Sequence, residues 1–128
     1  MTSAFPTVLI VDDNARNRKL AADVLRHAGF RTLEAATAAE GITAAARSVP
    51  DVILMDLRLP DLDGAVAVGM LRADPRTSRI PVAAMTALPI EPGEGWLAEA
   101  GFAGYIAKPF DIDALPGLIR GIATRGAE

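Results

Sequence analysis

The 128-residue chain contains no cysteine. Disulfide scaffolds, thiolate zinc sites and cysteine nucleophiles are therefore excluded. It holds one histidine, His27, which removes multi-histidine metal sites and argues against a Ser–His hydrolase. No apolar run is long enough to cross a bilayer. Met1 to Val11 carries no basic region ahead of its apolar stretch, so the N-terminus does not read as a signal peptide. A cytoplasmic location without membrane contact is expected. Basic excess is also missing: 13 Lys and Arg face 16 Asp and Glu, a net charge of −3, so nucleic acid is not the expected partner. Linkers, repeats and low-complexity segments are absent too. The expectation is one domain over 1–128, with its core at about 6–124. What remains is 51% hydrophobic residues, enough for a real core, and a chemistry limited to carboxylates, hydroxyls and amines.

Short apolar runs alternate with helical patterns. Val8–Val11, Val52–Met55 and Val82–Met85 are continuously apolar, as strands covered on both faces are. Arg31–Ala35 alternates, which suits an edge strand, and Tyr105–Ala107 is a short fifth run. Between Ala15 and Ala28, the residues Leu20, Ala21, Val24, Leu25 and Ala28 form one stripe, with Gly29 at the expected C-terminal cap. Thr37 and Glu40 read as a capping box, with Ile42, Ala45 and Ala46 facing inward. A third helix is predicted over Gly64–Ala73, ahead of Pro75, and a last one over Ile112–Thr124, weakened by Pro116 and Gly117. Strand–helix alternation with short links predicts an α/β fold, a parallel sheet with helices on both faces.

Polar residues gather at the strand ends: Asp12 and Asp13 after the first, Asp56 after the third, Thr86 after the fourth and Lys108 after the fifth. Ligands of open α/β sheets bind beyond the carboxyl ends of the strands. With strand order 2-1-3-4-5 these residues would share one mouth. Three carboxylates there would repel, each pair by about 4 kcal/mol at 4 Å and an effective dielectric of 20. Lys108 alone cannot offset that, so a divalent cation is the natural counter-charge, and hard oxygen donors favour Mg²⁺ or Mn²⁺ over zinc.

The segments Val11-Asp12-Asp13-Asn14, Asp56-Leu57-Arg58-Leu59-Pro60-Asp61-Leu62-Asp63-Gly64, Met85-Thr86-Ala87 and Lys108-Pro109-Phe110 together resemble the receiver domain of two-component response regulators, of the single-domain type. The resemblance implies a flavodoxin-like (βα)5 doubly wound sheet of five parallel strands in the order 2-1-3-4-5. It implies that Asp56 is the phosphoacceptor, that Asp13, Asp56 and the Arg58 carbonyl ligate Mg²⁺, and that Asp12 acts through water. Thr86 and Lys108 would bind phosphoryl oxygens, Thr86 and Tyr105 would form the conformational switch, and the Lys108–Pro109 bond would be cis.

Each residue also has a plainer reading. Asp12 and Asp13 could cap the first helix, Asp56 could be a turn carboxylate, Thr86 a helix cap and Lys108 a solvated loop residue. Tyr105 could be simply a half-buried sheet aromatic. His27 reads as a surface residue. Arg58 places a long cationic side chain at the mouth of the site, where it would either pair with an acid or hinder water. The chain departs from the family at the fourth helix. Leu88-Pro89-Ile90-Glu91-Pro92-Gly93-Glu94-Gly95 opposes a regular helix, so an irregular loop at Pro89–Gly93 and a shortened helix from near Glu94 are expected. Trp96 would anchor that helix or contact a partner.

The expected function is a stand-alone switch, not an enzyme beyond its own phosphoryl transfer and dephosphorylation. A histidine kinase or histidine phosphotransfer protein would phosphorylate Asp56, and a downstream protein would receive the output by contact or phosphorelay. The first helix, with Arg16, Arg18 and Lys19, would lie on the docking face, and the chain would be a monomer or weak dimer. The alternatives are a phosphorylation-independent binding module with the same fold, and a Mg²⁺-dependent phosphatase, for which no cap segment is visible.

Overall fold

A computed structural model of the chain describes residues 6–87, 95–108 and 111–126. Five strands and five helices alternate: β1 (Thr7–Val11), α1 (Ala15–His27), β2 (Arg31–Ala35), α2 (Ala38–Ser48), β3 (Val52–Asp56), α3 (Gly64–Ala73), β4 (Val82–Thr86), α4 (Trp96–Ala100), β5 (Gly104–Ala107) and α5 (Leu115–Gly126). All strand pairs are parallel, in the order β2-β1-β3-β4-β5. This is the flavodoxin-like doubly wound sheet implied by the resemblance.

The side-chain period of two sorts each central strand between two cores. Leu9, Val11, Ile53, Met55, Val82 and Ala84 face α2, α3 and α4, where they meet Ala45, Val68, Leu71 and Leu97. Val8, Ile10, Val52, Leu54, Ala83 and Met85 face α1 and α5, where they meet Leu25, Leu115, Ile119 and Ile122. The continuous apolar runs are thus buried on both sides, each large side chain contributing about 1.5–3 kcal/mol. β2, at the edge, keeps Arg31 and Glu34 exposed.

Element ends follow local chemistry. The α1 N-cap is Asn14, whose side chain accepts the Asn17 N–H at 3.0 Å; Asp12 and Asp13 do not cap it. Gly29, just past α1, takes φ 99°, a conformation natural to glycine. At α2, Thr37 Oγ accepts the Glu40 N–H at 3.1 Å, while Glu40 reaches back to the Ala36 N–H at 3.0 Å. The capping box is real, although its acid serves the residue before the cap.

Three expectations are corrected. Leu20 lies 45% exposed, off the α1 stripe that buries Ala21, Ala22 and Leu25. α5 starts at Leu115, not Ile112; Pro116 then falls in the first turn, where a missing N–H costs nothing. β3 and β4 each extend one residue, so Asp56 and Thr86 are the last strand residues and do not follow them. α4 is five residues long and capped by Gly101 in the left-handed region, a shortened helix as expected, beginning two residues past Glu94. The loop at 89–93, the Trp96 side chain and the Lys108–Pro109 bond lie outside the described residues.

Candidate functional site

Sheet register makes the site. Val11 pairs with Met55, Asp56 with Met85, and Thr86 with Ala107, so the carboxyl ends of four strands are level. The next polar residues must therefore converge, however far apart they lie in the chain. Asp12, Asp56 and Thr86 are buried and Asp13 is exposed. A carboxylate oxygen from each of the three aspartates lies within 4.8 Å of the others. Lys108 Nζ approaches Asp56 Oδ2 at 2.7 Å and Asp12 Oδ2 at 3.2 Å. The site opens into a cavity of about 310 Å³ lined by Asp13, Asp56, Arg58, Thr86 and Lys108, with Asn14 and Asn17 from the start of α1.

The backbone holds the carboxylates in fixed poses. Asp12 Oδ1 accepts the Asn14 N–H at 2.9 Å, and Asp56 Oδ1 accepts the Arg58 N–H at 3.0 Å. Each leaves its Oδ2 for the mouth. Asp56 Oδ2 accepts from Lys108 Nζ, whereas Asp12 Oδ2 is buried, faces the same ammonium as an ion pair at 3.2 Å, and accepts no well-aligned hydrogen bond among the described residues. Burial pushes the Asp12 carboxyl above the usual carboxylate range, against the opposing pull of the Asn14 N–H and the Lys108 charge. Burial draws the Lys108 ammonium down, but the Asp56 hydrogen bond and the charges of Asp12 and Asp56 outweigh it, so its pKa is raised. Three carboxylates against this ammonium leave a formal charge of −2.

Gly64 sets the return of the loop after β3. Its N–H donates to the Leu57 carbonyl at 2.9 Å, and a Cβ there would lie 2.8 Å from Leu57 Cα and 2.9 Å from the Asp56 carbonyl oxygen. The loop therefore folds tightly back onto the strand end that carries Asp56.

The matching family model is the response regulator receiver domain, over residues 8–120. The chain belongs to this family. It is 34% identical to the polar-differentiation response regulator DivK of Brucella ovis over 106 residues, which are 83% of this chain and 86% of that protein. It also resembles the receiver domain of the sensor histidine kinase PA1611 of Pseudomonas aeruginosa, solved with a magnesium ion coordinated in the active site cleft. That likeness has 33% identity and a TM-score of 0.84, covering 94% of this chain and 99% of the other. A third likeness, to the receiver domain of the Francisella response regulator 1452, has 27% identity and a TM-score of 0.84, covering 94% and 98%. A response regulator role follows from this membership.

Within this receiver domain, all the strand-end residues singled out from the sequence meet at one mouth. Tyr105 stands apart on β5, 45% exposed, and His27 is exposed on α1. Arg18, expected with Arg16 and Lys19 on the docking face of the first helix, donates to the Asp12 carbonyl at 2.8 Å and to Glu34 Oε1 at 3.2 Å. Asn17 was missed as a lining residue; its position one turn beyond Asp13, at the start of α1, was the available signal.

Proposed function

We propose that this protein is a phosphoacceptor switch in which Asp56 receives a phosphoryl group from a histidine kinase or histidine phosphotransfer protein. The observation that carries the reading is the Lys108 ammonium 2.7 Å from Asp56, with the carboxylates of Asp12 and Asp13 beside it. In the transfer, an Asp56 carboxylate oxygen forms the new P–O bond as the P–N bond of the donor phosphohistidine breaks. The electron pair stays with the imidazole nitrogen, which takes up a proton. A carboxylate nucleophile needs no general base, so the absence of a histidine at the mouth is no obstacle.

The donor set suits a small hard cation: carboxylates within 4.8 Å, one with a buried oxygen that accepts no hydrogen bond among the described residues. Asp13, Asp56 and the Arg58 carbonyl would hold Mg²⁺, or Mn²⁺, with Asp12 acting through water. When bound, the metal supplies charge neutralisation for the approaching anion. Lys108 would leave Asp56 Oδ2 for a phosphoryl oxygen, and the Thr86 hydroxyl, on the cavity wall, would bind another. Thr86 and Tyr105 would relay that change to a downstream protein partner. The protein catalyses its own phosphorylation and dephosphorylation at most. No helix among the described residues is long and apolar enough to cross a membrane, and a cytoplasmic setting is part of this proposal.

Incubation with Mg²⁺ and acetyl phosphate, followed by intact-mass measurement, tests the reading. One added phosphoryl group is expected, lost with Asp56→Asn and on chelation. No mass gain would leave a phosphorylation-independent binding module, and turnover of added phosphomonoesters would indicate a phosphatase.

A further inference from the structure

Asp61 lies in the loop between β3 and α3, five residues past Asp56, and its side chain reaches out of that loop to α2. Its Oδ1 accepts the Ala38 N–H at 2.9 Å and its Oδ2 accepts the Ala39 N–H at 2.9 Å. Both amides belong to the first turn of α2, 23 and 22 residues away in sequence. The helix already has its own cap, because Thr37 Oγ takes the Glu40 N–H and Glu40 takes the Ala36 N–H. Asp61 therefore satisfies the amides the local cap does not reach, and its negative charge sits at the positive end of the α2 dipole. These backbone bonds hold its carboxyl below the usual range even though it is exposed.

The consequence falls on the site. The loop is closed at its base by Gly64 N–H to the Leu57 carbonyl and by the antiparallel bridge between Arg58 and Asp63. Between these points the Arg58 amide is committed to Asp56 Oδ1, and the Arg58 carbonyl points wherever the rest of the loop sets its peptide plane. Leu59 and Leu62 pack against the core on either side of the tip, and the Asp61 pair of bonds to α2 is the tip's long-range hydrogen-bond anchor among the described residues. We infer that Asp61 is a positioning residue: by clamping the loop tip to the α2 N-terminus, it sets the Arg58 carbonyl as a ligand toward the divalent cation. This rests on the Mg²⁺-dependent reading above, and it assigns to an exposed aspartate outside the acidic mouth a part in metal affinity.

The test is a Mg²⁺ titration of the full chain followed by amide NMR shifts at Asp13, Asp56 and Arg58, with amide exchange at Ala38 and Ala39 as a second readout. Asp61→Ala is expected to weaken Mg²⁺ binding about ten-fold, the low end for groups that orient a metal ligand, and to speed exchange at both amides. Asp61→Asn, which keeps one acceptor oxygen, should fall between. Thr37→Ala is the control: it removes the helix's own cap without touching the loop, and should leave Mg²⁺ affinity unchanged. Unchanged affinity in Asp61→Ala beside faster exchange would overturn the inference, as would an equal loss in Thr37→Ala, which would reduce it to helix stability. A wild-type chain with no Mg²⁺ response at the mouth would sink the phosphoacceptor reading and this inference with it. Normal wild-type binding with an insensitive Asp61→Ala sinks the inference alone.

Discussion

Replacing Lys108 by methionine keeps an apolar stem and removes the ammonium that lies 2.7 Å from Asp56 and 3.2 Å from Asp12. At an effective dielectric of 20 those contacts correspond to about 6 and about 5 kcal/mol of attraction. Each carboxylate pair, within 4.8 Å, contributes at least about 3.5 kcal/mol of repulsion on the same scale. The three pairs together repel by at least about 10 kcal/mol, which Lys108 opposes by itself in metal-free protein, and the substitution leaves that repulsion unopposed, comparable to the whole stability of a domain. A folded site cannot keep three charges on those terms. It takes up a proton, swells, or binds a cation. Because Asp13 is exposed, the realised loss in metal-free solution should be about 2–3 kcal/mol, below the range for fully buried pairs.

The pH dependence follows from Asp12. Burial already raises its carboxyl pKa, and Lys108 opposes that rise, so the variant raises it further. With a folded value above the unfolded 3.8, the folded variant holds protons that the unfolded chain has released. Its stability is therefore fullest below that unfolded value and is lost as pH climbs through the raised folded value. Urea denaturation should show a small deficit at about pH 4 and the full deficit at about pH 8, with Mg²⁺ recovering more stability in the variant than in the wild type. A deficit constant across pH, or equal Mg²⁺ stabilisation of both proteins, would refute the electrostatic reasoning.

Three further outcomes are expected. Arg58→Ala should change the lifetime of phosphorylated Asp56 severalfold, by opening the mouth that Arg58 lines, while moving the unfolding midpoint little; identical dephosphorylation half-lives would count against it. Gly64→Ala places a methyl 2.8 Å from Leu57 Cα and 2.9 Å from the Asp56 carbonyl oxygen, both backbone atoms that move only with the strand. It should lower stability by about 2 kcal/mol and slow phosphorylation by acetyl phosphate, and a variant matching wild type in both would show the loop to be looser than described. Val49, with φ 45° at the end of α2, is a β-branched residue in left-handed backbone, so Val49→Gly should stabilise by about 1 kcal/mol, read as a higher thermal midpoint.

Much of the fold was legible because its signals are local. Val8–Val11, Val52–Met55 and Val82–Met85 announce doubly covered strands by being apolar without alternation, and Thr37 and Gly29 mark helix ends by their own chemistry, whereas the cap of α1 is Asn14 and not the aspartates before it. Misreadings arose where packing geometry decides. Leu20 satisfies the helical spacing of a buried stripe yet lies exposed, because the α1 contact with the sheet centres on Ala21, Ala22 and Leu25. Ile112 looked like the start of α5, but Asp111 accepts N–H groups from Asp113 and Ala114, and this turn delays the helix to Leu115. The strand-end polar residues were legible as a set because parallel strands must present their carboxyl ends together.

The order of residues along the chain settled the element types, the two-sided burial of the central strands, and the gathering of Asp12, Asp13, Asp56, Thr86 and Lys108 at one end of the sheet. Tertiary structure alone decided which of them touch. It placed Lys108 on Asp56 across 52 residues, left Asp12 Oδ2 buried without a hydrogen bond among the described residues, turned Arg18 onto the Asp12 carbonyl, and sent Asp61 to the amides of α2. Propensity and periodicity act over a few residues, whereas hydrogen-bond partners and desolvation depend on what the folded chain brings within about 3 Å, and no local pattern encodes that distance.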